Sequence, residues 1–164
     1  MLELYMLRHG LAGSRLEDEF LDEERPLTKK GKVKMKGIAK GLMGLNICFD
    51  KVVTSPLLRA KETAEIVNNY CGATPEILVT DLLRPASSYQ KLCKYLNALK
   101  GLEKVAVIGH EPFLGGFASY CLANSQTPFI SLKKGGVLML TIDKVIKPER
   151  CLLSWIMEPK HLIK

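Results

Sequence analysis

No stretch of the 164 residues approaches the run of roughly 18 apolar side chains that a membrane span needs, so no membrane association is expected. The N-terminus lacks the basic-then-apolar order of a secretory signal: Glu3 interrupts its short apolar run and Arg8 follows it, which points to the cytoplasm. The five cysteines (Cys48, Cys71, Cys93, Cys121 and Cys151) are odd in number and form no C-x-x-C pair. Neither a disulfide framework nor a zinc ribbon is suggested, and reduced, mostly buried thiols are expected. None of these cysteines has an arginine six positions later, and there is no G-x-x-x-x-G-K-[ST] run and no Asp-x-Asp pair, so three common phosphate-handling motifs are absent. Only His9, His110 and His161 are available as imidazoles, none at metal-ligand spacing from another, so no metal and no cofactor is predicted; His161 reads as a surface residue. Aromatic side chains make up 7% of the chain and none interleave with lysines as a base-stacking platform requires, which argues against nucleic acid as a partner.

What is present is enough for one domain over residues 1–164, since a chain of this size buries roughly 70% of the surface its unfolded form exposes. A monomer is expected. The net charge of +7 is concentrated in one segment, where Lys29, Lys30, Lys32, Lys34, Lys36 and Lys40 crowd a single predicted helix. The plain reading is a solvated helix face, because lysine is the default covering of exposed helices. The alternative is a surface that receives an anionic partner.

Hydrophobic patterning alternates between short strands and helices. Leu2 to Leu7 reads as a buried strand that stops at Arg8-His9-Gly10. A polar, acid-rich stretch from Gly13 to Arg25 follows as a loop, after which Thr28 is placed to cap a helix running to about Met43. Phe49 to Thr54 is a second strand, with Ser55 as cap and Pro56 as first residue of the next helix, which puts Arg59 in its first turn. Glu76 to Thr80 and Lys104 to Ile108 read as strands, Ser87 to Leu99 and about Pro112 to Leu122 as helices, and Gly136 to Ile142 with Cys151 to Met157 as closing strands. This alternation predicts an α/β fold: a three-layer α/β/α sandwich around a mostly parallel sheet of about six strands.

In open α/β sheets, ligands bind beyond the carboxyl ends of the strands. Three polar sets fall there: Arg8-His9, Ser55 with Arg59, and His110. Arginine presents a planar fork of donors that matches phosphate oxygens and stays charged at physiological pH. A neutral imidazole is a competent nucleophile toward phosphorus, and a second imidazole can hydrogen-bond or move a proton. Each motif alone is more often structural than catalytic; their joint occurrence at strand ends reverses that.

The stretches Leu7-Arg8-His9-Gly10, Arg25-Pro26-Leu27-Thr28 with Gly31, Thr54-Ser55-Pro56-Leu57-Leu58-Arg59-Ala60 with Glu62-Thr63-Ala64, and Gly109-His110-Glu111-Pro112 span most of the chain. In this order they resemble the histidine phosphatase superfamily, of phosphoglycerate-mutase-like fold, and within it the small SixA-type phosphohistidine phosphatases; the Trp155 to Pro159 segment also fits. The resemblance implies a hydrolase that works through a phosphohistidine intermediate. His9 would be the phosphorylated nucleophile, with Arg8, Arg59 and His110 forming the phosphate pocket and Arg25, Gly10 and Ser55 completing the substrate-binding set. The implied substrate is a protein phosphohistidine, as on a histidine phosphotransfer domain. A small phosphate ester cleaved by the same fold is the alternative, and a phosphoprotein-binding module without turnover a weaker one.

Two departures from the family pattern matter. Leu11-Ala12-Gly13 supplies no polar group where mutase-like members carry one, and Leu82 stands where an acid would be expected in Asp81-Leu82-Leu83-Arg84-Pro85. Asp22, Glu23, Glu24, Asp81 and Glu111 are the candidate general acids, each with the plain alternative of a solvated or ion-paired carboxylate. A missing acid favours a phosphoramidate, since an imidazole of pKa roughly 6.5 leaves far more readily than an alkoxide.

Overall fold

The computed structural model describes residues 1–14, 21–70 and 75–163. Six strands, β1 (Leu2–Arg8), β2 (Lys51–Thr54), β3 (Ile77–Val79), β4 (Lys104–Gly109), β5 (Val137–Ile142) and β6 (Cys151–Met157), form one sheet in the order β3-β2-β4-β1-β5-β6. β1, β2, β3 and β4 run parallel, whereas β5 is antiparallel to β1 and β6 antiparallel to β5. The helices are α1 (Lys29–Gly44), α2 (Leu58–Asn68), α3 (Tyr89–Ala98), α4 (Phe113–Ala123) and a short α5 (Pro159–Leu162).

Strand side chains alternate between two faces, and each face carries its own core. Tyr5, Leu7, Val52, Ala106 and Ile108 pack with Met35, Ile38 and Leu42 of α1, Ala60, Ala64 and Val67 of α2, and Leu162 of α5. Leu4, Met6, Val53, Val105 and Val107 pack on the other face with Leu92 and Leu96 of α3 and Leu114 and Phe117 of α4. The two cores give the predicted three layers, with the sheet in the middle. No helix among the described residues is long and apolar enough to cross a membrane. Cys93, Cys121 and Cys151 are buried free thiols and Cys48 is half-buried, while Cys71 lies outside the described residues.

Thr28 caps α1 as its sequence position predicts, its hydroxyl accepting a hydrogen bond from the Gly31 amide at 2.9 Å. Gly31 also permits close approach: a Cβ there would lie 2.1 Å from the Leu11 carbonyl oxygen, so only glycine lets α1 press against the chain that leaves β1. The expected start of α2 needs correction. Ser55 and Pro56 precede the helix, which opens at Leu58 with Leu57 as its cap residue. The reason is that the Ser55 amide still donates to the Ile108 carbonyl at 3.0 Å, so residue 55 continues the sheet and the chain turns into the helix only afterwards. α3 opens at Tyr89, two residues after the expected start at Ser87, with Ser88 as its cap accepting from the Lys91 amide. The exposed His161 lies in α5 and accepts from the Glu158 amide through Nδ1.

Candidate active site

Because β1, β2 and β4 are parallel neighbours, their carboxyl ends sit side by side and deliver Arg8-His9, Ser55 and Gly109-His110 to one edge of the sheet. The amide of His9 donates to the Gly109 carbonyl at 3.0 Å, and the two imidazole centroids are 5.0 Å apart. His9, His110, Ser55 and Arg59 are all buried, so the cluster lies in a recess and not on the rim. His9 Nδ1 is 2.7 Å from the Gly10 carbonyl oxygen. A carbonyl can only accept, so Nδ1 carries the hydrogen and the lone pair resides on Nε2. His110 Nε2 lies 2.8 Å from the Ser55 hydroxyl, while its Nδ1 is buried with no hydrogen-bond partner among the described residues.

The α2 turn holds this arrangement from behind. Thr63 donates its hydroxyl to the Arg59 carbonyl at 2.7 Å and accepts from the Gly10 amide at 3.1 Å, tying the first turn of α2 to the loop after β1. Arg59 Nη1 donates to the Asp22 carbonyl at 2.7 Å, and its Nη2 reaches the Asp22 carboxylate at 3.3 Å. The other oxygen of that carboxylate pairs with Arg25 Nη2 at 2.8 Å, and Arg25 Nη1 donates to the Gly13 carbonyl. Asp22 therefore bridges the two arginines. Arg8 Nη1 donates to the Leu132 carbonyl at 2.7 Å, and the Leu132 amide donates to Glu111 at 2.9 Å, which fixes the segment that orients Arg8.

Electrostatics keep both imidazoles neutral. Burial, with Arg59 and Arg8 close by, pushes His9 down to about 4 against the Gly10 hydrogen bond that favours its charge. Burial and the neighbouring His9, Arg59 and Arg8 push His110 down to about 3, opposed by Asp22. Unfolded imidazoles titrate near 6.5, so between about 6.5 and about 4 the unfolded chain takes up protons that the folded chain does not. The stability is fully present above that window and falls as pH is lowered through it. The urea midpoint is expected to drop between pH about 7 and about 5, and His110→Gln to flatten part of that drop; an unchanged pH slope in the variant would remove His110 as a cause.

All the residues singled out from sequence, His9, Arg8, Arg59, His110, Arg25, Gly10 and Ser55, converge on this one recess. Of the candidate carboxylates only Asp22 reaches the recess, where it is paired with both Arg25 and Arg59. Glu23 and Asp81 both pair with Arg84, Asp81 at 2.7 Å, and Glu24 is exposed. Glu111 is half-buried, accepts from the Leu132 and Gly115 amides, and is raised by burial. Leu82 packs partly against the α3/α4 core and brings no acid to the recess. Lys134 escaped the sequence reading. Burial and then Arg8, Arg25 and Arg59 lower it, which puts its charge among the arginines of the site. Gly135 beside it adopts φ +79° and donates to the Arg8 and His9 carbonyls at 3.0 and 3.2 Å. The signal was the Lys133-Lys134-Gly135-Gly136 run before β5, but a search confined to carboxyl ends passes over it, since antiparallel β5 presents its amino end there.

A six-stranded α/β sandwich with two neutral histidines and three arginines at one edge defines an enzyme that handles phosphoryl groups. The model for the histidine phosphatase superfamily (branch 1) matches residues 4–85. The chain belongs to that superfamily and is a phosphatase. It is 35% identical over 142 residues to an uncharacterized protein of Picosynechococcus sp., covering 85% of this chain and 84% of the relative. It is 27% identical over 163 residues to the phosphohistidine phosphatase SixA of Escherichia coli, covering 98% and 96%. The solved structure of the protein histidine phosphatase SixA complexed with tungstate superimposes with a TM-score of 0.85 at 28% identity, covering 98% of this chain and 99% of that one.

Proposed function

We propose that the protein removes phosphate from protein-borne phosphohistidine through a covalent intermediate on His9. The His9 Nε2 lone pair attacks phosphorus, the bond from phosphorus to the substrate imidazole breaks, and that imidazole leaves with the electron pair and takes a proton from solvent. Water then attacks phosphorus, His9 leaves as neutral imidazole, inorganic phosphate is released and the proton of water returns to solvent. Arg8, Arg59 and Arg25 neutralise charge on the equatorial oxygens, which is where phosphoryl-transfer catalysts act most strongly. His110 donates its unpartnered Nδ1–H to one of those oxygens when Ser55 donates its hydroxyl to Nε2. The Gly10 carbonyl holds the His9 tautomer.

The observation that carries the nucleophile is the Nδ1–H of His9 locked on the Gly10 carbonyl inside a recess that keeps the ring neutral. Three others support the substrate. Leu82 leaves the usual acid position without a carboxylate, Asp22 is spent bridging Arg25 and Arg59, and the relative SixA acts on phosphohistidine. The deciding comparison is phosphate release, without added metal, from a phosphorylated histidine phosphotransfer domain and from an aryl phosphate in parallel. A higher kcat/KM on the phosphoprotein is expected. Preference for the ester would move the function to small phosphorylated molecules.

A further inference from the structure

Beside the recess lies a groove of about 500 Å³ whose lining includes Arg8 and Gly10. Lys30 and Lys34 project into it from α1, Lys133 and Lys134 from the turn before β5, and Lys160 from α5. Among the described residues, six cations thus face one carboxylate, Glu158, which is already shared between Lys133 at 2.9 Å and Lys160 at 3.3 Å. Lys30 and Lys34 are exposed, stand four residues apart on one side of α1, and have no acidic partner among the described residues. Lys32, by contrast, is paired with Glu62 at 2.8 Å, and Lys40 points to a different hollow against α5. The lysine-rich helix is therefore divided: part of it is ordinary covering, and part of it combines with two distant segments into one basic trough that opens on the phosphate-facing arginine.

We propose that this groove is a docking subsite for an acidic segment of the phosphoprotein substrate, seated on Lys30, Lys34 and Lys134 while the phosphoryl group enters beside Arg8. The inference rests on the phosphohistidine reading above and adds the chemistry of the partner. A small ester is held entirely within the arginine recess and has no use for a second set of cations. Nucleic acid is disfavoured because the described residues of the groove walls are lysines, Leu11, Met35, Pro159 and their neighbours, with no aromatic ring among them for a base to stack on. Lysine ammonium groups are compact, mobile point charges that tolerate carboxylates in varied geometry, as suits the face of a folded protein more than one fixed anion. Such a surface acts chiefly on association and weakens with salt over a Debye length of about 10 Å.

The test uses the full chain, Lys30→Glu/Lys34→Glu, and an equal charge reversal, Lys144→Glu/Lys147→Glu, placed in the β5–β6 connection at the opposite end of the sheet. Binding of a fluorescent oligo-glutamate peptide is measured at low and high salt, and kcat/KM is measured on both the phosphoprotein and an aryl phosphate. The expected result is salt-sensitive peptide binding weakened about tenfold or more by the groove reversal only. The same variant should lose about tenfold in kcat/KM on the phosphoprotein, with the aryl phosphate rate within about twofold, which also reports an intact fold. Peptide binding that is absent, or is lost equally in both reversals, overturns the groove, as does an unchanged phosphoprotein rate in the groove variant. If the wild type binds the peptide through the groove yet ignores the phosphoprotein, the phosphohistidine reading falls while the acidic-segment site stands.

Discussion

His9→Ala is expected to lose on the order of 10⁴-fold or more in phosphate release, with its melting temperature close to that of the wild type. The loss follows from removing the imidazole whose Nδ1–H is held on the Gly10 carbonyl and whose Nε2 lone pair is flanked by Arg59 and Arg8. The fold should survive because the His9 side chain makes one hydrogen bond, to the carbonyl of the adjacent residue, and the backbone amide that ties it to Gly109 is untouched. Rapid-quench labelling with a radioactive phosphoryl donor makes the claim sharper. The wild type should carry acid-labile, base-stable phosphate early in turnover and the variant none. Wild-type phosphate release from the variant would rule out the covalent mechanism.

Arg59→Ala should cost on the order of 10² to 10³ in kcat, and Arg59→Lys should recover only part of it. The fork, not the charge alone, matters: two of its nitrogens engage Asp22, one on the backbone and one on the carboxylate, and the same planar array would meet two phosphoryl oxygens. Arg59 is 2% exposed, so truncation also leaves a hole and releases Asp22, and stability must be followed alongside rate. A drop in kcat in a variant whose urea midpoint is restored at low temperature separates catalysis from folding. Unchanged kcat on a folded Arg59→Ala would show that Arg8 and Arg25 suffice for the phosphate.

Much of this was readable from local pattern. Leu2 to Leu7 reads as a buried strand because its apolar run serves two cores at once, Leu4 and Met6 on one face and Tyr5 and Leu7 on the other. Thr28 reads as a helix cap because the hydroxyl and the free amide it satisfies lie three residues apart. Ser55 misled for a matching reason: serine before proline is a good cap by local chemistry, but its amide was already claimed by β4, 53 residues away, in a bond to Ile108. Tertiary pairing overrode propensity.

The short-range code was sufficient to single out the proposed reactive set: Arg8, His9, Arg59 and His110 each have side chains suited to phosphoryl chemistry, and the strand ends that hold them follow from hydrophobic period and glycine punctuation. Only the tertiary structure decided their protonation and their company. Burial that neutralises His9 and His110, the Asp22 bridge between Arg25 and Arg59, and the meeting of Lys30 and Lys34 with Lys134 all depend on contacts between segments far apart in the chain. Desolvation and Coulomb energy depend on distance through space, which the order of residues does not record, whereas caps and strand faces depend on neighbours within a few positions, which it does.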